Sequence, residues 1–447
     1  MKHNRKKPDV LVVGGGPAGM FAAASAARAG ASVVLLEKNK KLGKKMSIAG
    51  GGRCNLTNTA PVHEFIKNVP GNGKFLTGIL SRFGWSDCVH FLKSLGIKTK
   101  EEEMGKIFPE KDRAEDVVAA LESHLLEMGI KILLGHRAKA LLKEGGQCLG
   151  AELEDGTPVY SKTLIIATGG SSYPGTGSTG DGYFMAGQAG HKVITPRPGL
   201  VPVTIAERKL AEKLQGLSVR DSVLCIEDDT GKKIEAVRGD FIITHFGVSG
   251  PAALGLSRTV SALKGSGSLR LLLDFMPEVK EDFLAERMLA AARDQPRKSV
   301  AGLLKLMMPD RLAITISEIM GVDAQKKSAE AGKNIWRKAA GLVKRFPLSI
   351  KGTRPLAEAM VTVGGVCTGE VNPRTMESKL LKGLYFAGEV IDVDAYTGGF
   401  NMQIAFSTGW LAGLSAAKKA HTECLSGQNS EARIQNPDNR GRENGHQ

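Results

Sequence analysis

The sequence predicts an α/β fold: a Rossmann-type nucleotide-binding domain interrupted by an inserted domain of strands followed by helices. Three observations predict it. Val10-Leu11-Val12-Val13 is a short apolar run, and Gly14, Gly16 and Gly19 follow it at the spacing of a strand–turn–helix phosphate grip. An acid, Glu37, closes the next apolar run, Ala31 to Glu37. A second glycine-rich stretch, Gly383 to Glu389 with its sequel Gly398-Gly399-Phe400-Asn401, lies close to the far end of the 447 residues. The chain therefore leaves a nucleotide-binding domain, builds something else, and returns to finish it.

Taken in order, Asp9 to Val13 reads as a buried parallel strand, Pro17 to Ala29 as a helix ended by Gly30, and Ala31 to Glu37 as the next strand. A basic loop from Lys38 to Lys45 precedes the cluster Gly50-Gly51-Gly52-Arg53-Cys54-Asn55-Leu56-Thr57-Asn58. Ser86 to Leu134 reads as helices with short strands. Leu149 to Leu153 and Pro158 to Tyr160 form a hairpin turning at Asp155-Gly156, and Thr163 to Ala167 is another buried strand. From Val193 the texture changes to strands (201–205, 222–227, 240–244, 269–275) and then helices (281–293, 300–308, 314–320, 329–343). These boundaries assign 1–192 and 350–424 to a discontinuous nucleotide-binding domain and 193–349 to the insert. The final helix is expected from Met402 to Ala420, and the polar stretch 425–447 is expected to be disordered.

Composition narrows the function classes. Hydrophobic content of 42% and charged content of 24% suit a soluble globular protein, and 5% aromatic residues argue against a base-stacking surface. The net charge of +15 favours anionic ligands and permits weak attraction to nucleic acid or membrane. A solvated basic surface is the plainer account of it. Six scattered cysteines without a C-x-x-C pair exclude a redox dithiol and give no zinc spacing, so no metal is expected. Free thiols in this number suit a reducing cytoplasm. Basic residues ahead of the apolar stretch 10–36 imitate a signal peptide, but Gly14 to Pro17 and Arg28 interrupt it. No other segment is long and apolar enough to enter a bilayer.

The chemistry lies in the glycine segments. Gly14 makes the tight turn, Gly16 admits a pyrophosphate to the backbone, and Gly19 lets the helix pack on the strand. Pro17 and Ala18 open that helix, whose N-terminus offers N–H groups to phosphate. Glu37 is placed for ribose hydroxyls and selects against a 2′-phosphate, with Lys38 beside it. Gly175, Gly177 and Gly180 match the same motif literally but lack its strand and acid. They read as a loop returning to the same cofactor after Thr168-Gly169. Gly388-Glu389 follows a buried strand and suits ribityl hydroxyls. Gly399, Asn401 and Met402 bring the positive end of the last helix to an isoalloxazine ring, and Gly52, Arg53 and Asn55 wrap that ring. The ligand these segments suit is FAD.

Other residues keep two readings. Cys54 is a redox thiol or, more simply, an inert small side chain. His245, in Thr244-His245-Phe246-Gly247-Val248-Ser249-Gly250-Pro251, lines a substrate cavity or is a buried, hydrogen-bonded histidine; burial is favoured. Tyr396 contacts substrate, donates a proton, or packs. Asp392 and Asp394 divide evenly between cofactor contact and loop acid, and Lys38 to Lys45 reads most simply as a solvated run.

In sequence order these motifs resemble the BaiN-like family of bacterial flavoproteins, also described as aminoacetone-oxidase-family FAD-binding enzymes or NAD(P)/FAD-dependent oxidoreductases. The resemblance runs from Val10 to Ala417. It rests on Gly50 to Asn58, Thr168 to Pro174 with Thr179 to Gly182, Thr244 to Pro251, and Gly383 to Asp394 with Gly398 to Asn401. It implies a glutathione-reductase-like FAD domain with an inserted mixed domain, FAD held noncovalently and, for at least one member, reduction of a carbon–carbon double bond in dehydro bile acids. Several pieces also look like the wider succinate-dehydrogenase/fumarate-reductase flavoprotein group.

The expected activity is a cytoplasmic FAD oxidoreductase with NAD(P)H as a transient co-substrate. Its acceptor is a small unsaturated or carbonyl-bearing molecule, or oxygen. Neither a stable nucleic-acid partner nor membrane insertion is expected, and no pattern selects an oligomeric state. The alternatives are an FAD-dependent RNA-modifying protein and a non-enzymatic flavin-binding redox sensor.

Overall fold

The structure, a computed structural model, describes residues 7–434 other than 264, 266 and 324. Contacts divide the described residues into two compact units, one from the stretches up to 196 and from 362 onward, the other within 197–361.

The first unit is built on a five-stranded parallel sheet. Its strands are β1 (Val10–Val13), β2 (Val33–Glu37), β3 (Lys131–Leu134), β4 (Thr163–Ile166) and β5 (Leu384–Phe386). They lie in the order β5-β4-β1-β2-β3. Val10 pairs with both Val33 and Thr163, and Leu164 pairs with Leu384, so the C-terminal strand completes a sheet that the N-terminal one begins. β1, β4 and β5 are buried at every position, as parallel strands covered on both faces must be.

Helix α1 (Pro17–Arg28) crosses from β1 to β2, and helix α2 (Phe400–Ile434) packs against it. That packing depends on small residues. A Cβ added at Gly409 would lie 2.2 Å from the Ala18 carbonyl oxygen, and one at Gly413 would lie 2.1 Å from that of Ala22. The Ser25 hydroxyl donates to the Trp410 carbonyl at 2.8 Å. Phe21 stacks on Phe406 and Phe83 on Trp410, with ring centroids 4.1 and 4.5 Å apart. Helix α2 runs well past Ala420; of the tail expected to be disordered, residues 435–447 lie outside the described residues.

This unit also contains two three-stranded antiparallel sheets. One joins Thr57–Asn58, Lys106–Pro109 and Thr99–Glu102; the other joins Ala138–Glu144, Gln147–Leu153 and Pro158–Tyr160. The last two of these strands turn at Asp155-Gly156, as the residue types require, with Gly156 at φ 82°.

The second unit is a closed six-stranded barrel with helices Pro251–Ala262, Glu281–Asp294, Val300–Leu304, Asp310–Ile319 and Lys333–Lys344. Leu224, Ile226, Phe241, Ile243, Val248, Leu271, Leu273 and Phe346 belong to its core. Closure depends on Phe346–Thr353, which pairs with both Leu269–Asp274 and Val203–Ile205. The expected boundary at 349/350 therefore cuts through a barrel strand, and the unit extends to Val361. Alternation alone could not reveal that this strand closes a barrel rather than rejoining the parallel sheet. Among the described residues, no helix is long and apolar enough to cross a membrane.

Candidate functional site

The first glycine turn separates into positions the polypeptide itself requires and one it does not. Gly14 has φ 108°, and a Cβ there would lie 2.5 Å from the Ala167 carbonyl oxygen. A Cβ at Gly19 would sit 1.8 Å from the Gly14 carbonyl oxygen. Gly16 differs. It has φ −80°, which any residue adopts, and an added Cβ there meets nothing within 4 Å. At the N-terminus of α1, beside Pro17, Ala18 and Gly19, the backbone faces open space.

Glu37 anchors this turn. Its Oε2 accepts from the Gly15 N–H at 2.7 Å, and its Oε1 accepts from the Asn39 N–H and amide at 2.7 and 2.8 Å. A carboxylate retains further lone pairs when each oxygen has one or two donors. Lys38, read as part of a solvated run, is instead drawn inward. Its ammonium contacts the Thr179 hydroxyl and lies 2.8 Å from Asp181 Oδ2. Arg137 reaches Asp181 Oδ1 at 2.8 Å. Burial opposes the charge on Asp181, but the Arg137 and Lys38 cations hold its carboxyl below the ordinary value.

Lys45 departs from the solvated reading as well. Its ammonium lies 2.7 Å from Glu389 Oε2 and 2.7 Å from the Ser172 hydroxyl. Glu389 Oε1 accepts from the Thr362 N–H at 2.7 Å and from Ser172 at 3.0 Å. Thr362 in turn accepts from the Ser171 and Ser172 N–H groups at 2.8 and 3.1 Å. Burial works against the Glu389 charge, yet Lys45 and the N–H and hydroxyl donors hold its carboxyl below the usual range. Lys40, Lys41 and Lys44 remain exposed. Gly388 precedes this cluster at φ 77°, and a Cβ there would lie 2.7 Å from that of Ala18. The two distant glycine segments thus touch. At the end of β4, Thr168 and Gly169 border the same turn; Thr168 Cα is 3.0 Å from a Cβ placed on Gly14.

The Gly50 to Asn58 segment grips the second glycine loop. With the Asn55 amide oriented to satisfy its neighbours, its oxygen accepts from the Gly399 N–H at 3.0 Å. Its nitrogen donates to Ile107 O and Thr57 O at 3.2 Å. Asn58, 4% exposed, donates to the carbonyls of Met104 and Gly398, each at 3.0 Å. Gly399 has φ 94°, and a Cβ there would lie 2.3 Å from Thr57 O. Asn401 ties down the loop ahead of α2, accepting from Ala395 N–H at 2.9 Å and donating to Ala395 O at 2.7 Å. Tyr396 and Met402 flank it, each partly buried, and the Tyr396 N–H donates to Asn68 O at 2.9 Å.

Gly52, at φ 87°, turns the chain into Arg53. The Arg53 guanidinium lies over the Phe108 ring at 4.1 Å, contacts Glu102, and meets Asp112 at 2.8 Å. Cys54 is fully buried, and burial pushes its thiol up to about 12, so the inert reading holds. His245 belongs to the second unit and is exposed, in the turn between Lys233–Thr244 and Gly247–Ser249. The favoured buried, hydrogen-bonded reading is therefore corrected: the tight turn lifts the side chain outward.

Sequence reasoning missed several contacts. Asn72 donates to the carbonyl and carboxylate of Asp392 at 2.7 and 3.0 Å. Buried His191 sits between Glu370 and Ser378, at 3.1 and 2.7 Å. Neither carries a local pattern that would have announced it.

The family described as HI0933-like protein Rossmann domain matches residues 8–415. The chain is 32% identical over 413 residues to a 3-dehydro-bile acid delta(4,6)-reductase of Clostridium scindens, covering 91% of this chain and 98% of that protein. It is 33% identical over 420 residues to a ribosomal RNA dihydrouridine synthase of Escherichia coli, covering 92% and 99%. Among solved structures, a 3-ketosteroid-delta4-(5alpha)-dehydrogenase of Rhodococcus jostii superposes with TM-score 0.51 at 16% identity, covering 92% and 97%, a likeness of fold. From its first strand to well into its last helix, this chain belongs to the HI0933-like Rossmann family.

Proposed function

We propose that this protein is an FAD-dependent, NAD(P)H-driven reductase of a carbon–carbon double bond conjugated to a carbonyl. The observation that carries the reading is the meeting of its two glycine segments. One end offers an open backbone at Gly16 beside a helix N-terminus and the Glu37 carboxylate, which suits a pyrophosphate and ribose. The other offers Glu389 and the Asn55-clamped Gly399 at the start of α2, which suits a ribityl chain and a flat ring. FAD, when bound, supplies the two-electron carrier between nicotinamide and acceptor. The polypeptide contributes binding, orientation and a positive helix end that favours a reduced, anionic ring.

Double-bond reduction is supported by the relatives' names. A Δ4,6 bile acid with a 3-oxo group and the uracil ring of uridine share an alkene conjugated to a carbonyl, and dihydrouridine is uridine with that ring bond saturated. Lys38 and Lys45 support FAD binding indirectly, by holding Asp181 and Glu389 in place. The net charge of +15 favours a second reading, in which the alkene belongs to uridine within RNA.

The test is anaerobic. The purified protein should be yellow, its flavin should bleach with NADH or NADPH, and an enone steroid or an unmodified ribosomal RNA transcript should restore the colour. Steroid turnover alone supports the first reading, and RNA turnover with steep salt dependence supports the second. A colourless protein that cannot be reconstituted with FAD overturns both.

A further inference from the structure

Met104 stands out among the exposed apolar side chains. It is 83% exposed, more than any other large hydrophobic residue described, and it sits at φ 61°. A methionine in the left-handed region is unusual, because its Cβ crowds the backbone there. The surroundings impose this conformation. Met104 lies at the tip between Thr99–Glu102 and Lys106–Pro109, with Glu102 paired to Lys106. The Asn58 amide holds the Met104 carbonyl, and the Thr59 N–H donates to the Gly105 carbonyl at 2.8 Å. A Cβ at Gly105 would lie 2.5 Å from the Thr59 hydroxyl, so the tip is pressed against the neighbouring strand. Strain of this kind persists only where the surroundings over-determine it, and it concentrates at functional sites.

The tether also fixes where the tip lies. The same Asn58 nitrogen that holds the Met104 carbonyl holds that of Gly398, at 3.0 Å in each case. The hairpin tip is thereby locked to the loop assigned above to the flat ring of the cofactor. The hairpin also lines an open hollow of about 400 Å³ through Glu102, Glu103 and Lys106. Methionine is unbranched and polarizable, and its thioether packs well against the faces and edges of π systems.

We infer that Met104 is a specificity-determining contact, its side chain packing against the flat conjugated ring of the acceptor. This assignment rests on the reductase reading of the same site. Met104 would then act through acceptor affinity, leaving cofactor retention and the nicotinamide half-reaction alone.

Two variants test it. Met104→Gly removes the side chain and relieves the backbone, whereas Met104→Leu keeps an apolar side chain of similar size. The readouts are thermal midpoint, flavin content, anaerobic flavin reduction by NAD(P)H, steady-state KM and kcat, and equilibrium dialysis of an enone steroid and a uridine-containing RNA oligonucleotide. In Met104→Gly, we expect the midpoint and flavin reduction to hold, and KM and the dialysis constant to rise about ten-fold for the acceptor the wild type uses. Met104→Leu should recover most of that loss. Unchanged acceptor KM and binding in Met104→Gly overturn the role of Met104 while leaving the reductase reading intact. A wild type whose flavin neither nicotinamide reduces, or which holds neither probe, overturns the reading and this inference together.

Discussion

The Lys45 ammonium lies 2.7 Å from the Glu389 carboxylate, although 344 residues separate them. The pair joins the basic loop after β2 to the turn after β5, so one ion pair reports on whether the two chain ends have met. Neither partner is fully exposed; Lys45 and Glu389 side chains retain 25% and 23% of their accessibility. Such a pair is harder to replace by water than a surface one.

Lys45→Met should leave Glu389 with its Ser172 and Thr362 donors but without a cation, costing about 1–3 kcal/mol of stability at neutral pH. The Glu389 carboxyl sits below its ordinary value of 4.5 in the folded state. Its stabilisation is therefore present above that value and lost as pH falls through the lower, folded one. Thermal midpoints measured from pH 7 down to pH 3 should show the gap between wild type and Lys45→Met closing at the acid end. A gap independent of pH would contradict this account.

Gly16 and Gly19 should part company on substitution. Gly16→Ala places a methyl group in open space, so the apoprotein should stay within about 1 kcal/mol of wild type. Its capacity to retain flavin should fall sharply. Gly19→Ala drives a methyl group into the Gly14 carbonyl and should cost more than about 3 kcal/mol or prevent folding. Thermal melts of apoprotein and absorbance after FAD reconstitution separate the two outcomes.

Asn58→Asp exchanges an amide that donates to two carbonyls for a group that presents oxygen to both. The loss should exceed that of Asn58→Ala, itself about 2–3 kcal/mol for buried partners left unsatisfied. Flavin release should accompany it, because the loop held through Gly398 is freed. Chemical denaturation followed by flavin fluorescence reads both effects.

Thiol labelling supplies an independent check. Cys54 and Cys88 are fully buried and burial raises both thiols, Cys54 to about 12. In native protein at pH 8, iodoacetamide should modify Cys367 far faster than either. Rapid labelling of Cys54 without unfolding would show that the Gly50 to Asn58 loop opens readily.

The parts of the architecture that were legible share one property: a local backbone demand. Gly14 takes a left-handed φ of 108° and Gly19 lies against the Gly14 carbonyl, both demands of the turn itself, and Glu37 ends a strand whose neighbours are apolar. The turn at Asp155-Gly156 and the helices of the second unit were readable for the same reason. What escaped depends on partners far away in sequence. Gly409 and Gly413 look like tolerated interruptions of a helix until the Ala18 and Ala22 carbonyls are set against them. Lys38 and Lys45 look solvated until Asp181 and Glu389 arrive. Met104 carries no left-handed signal of its own, because Asn58 and Thr59 impose its conformation from outside. Barrel closure by Phe346–Thr353 and the exposure of His245 are likewise facts of assembly rather than of periodicity.

The placement of β5 beside β4 bears on how the protein must be made. A ribosome that has produced the first 380 residues has already released β1, β2, β3 and β4, but their edge lacks its last neighbour and α1 lacks its cover. The apolar flank of α1 stays bare until the final helix emerges. Burial of α1 is therefore deferred until the chain beyond Leu384 has emerged, and a chain terminated ahead of Leu384 would expose sticky apolar surface.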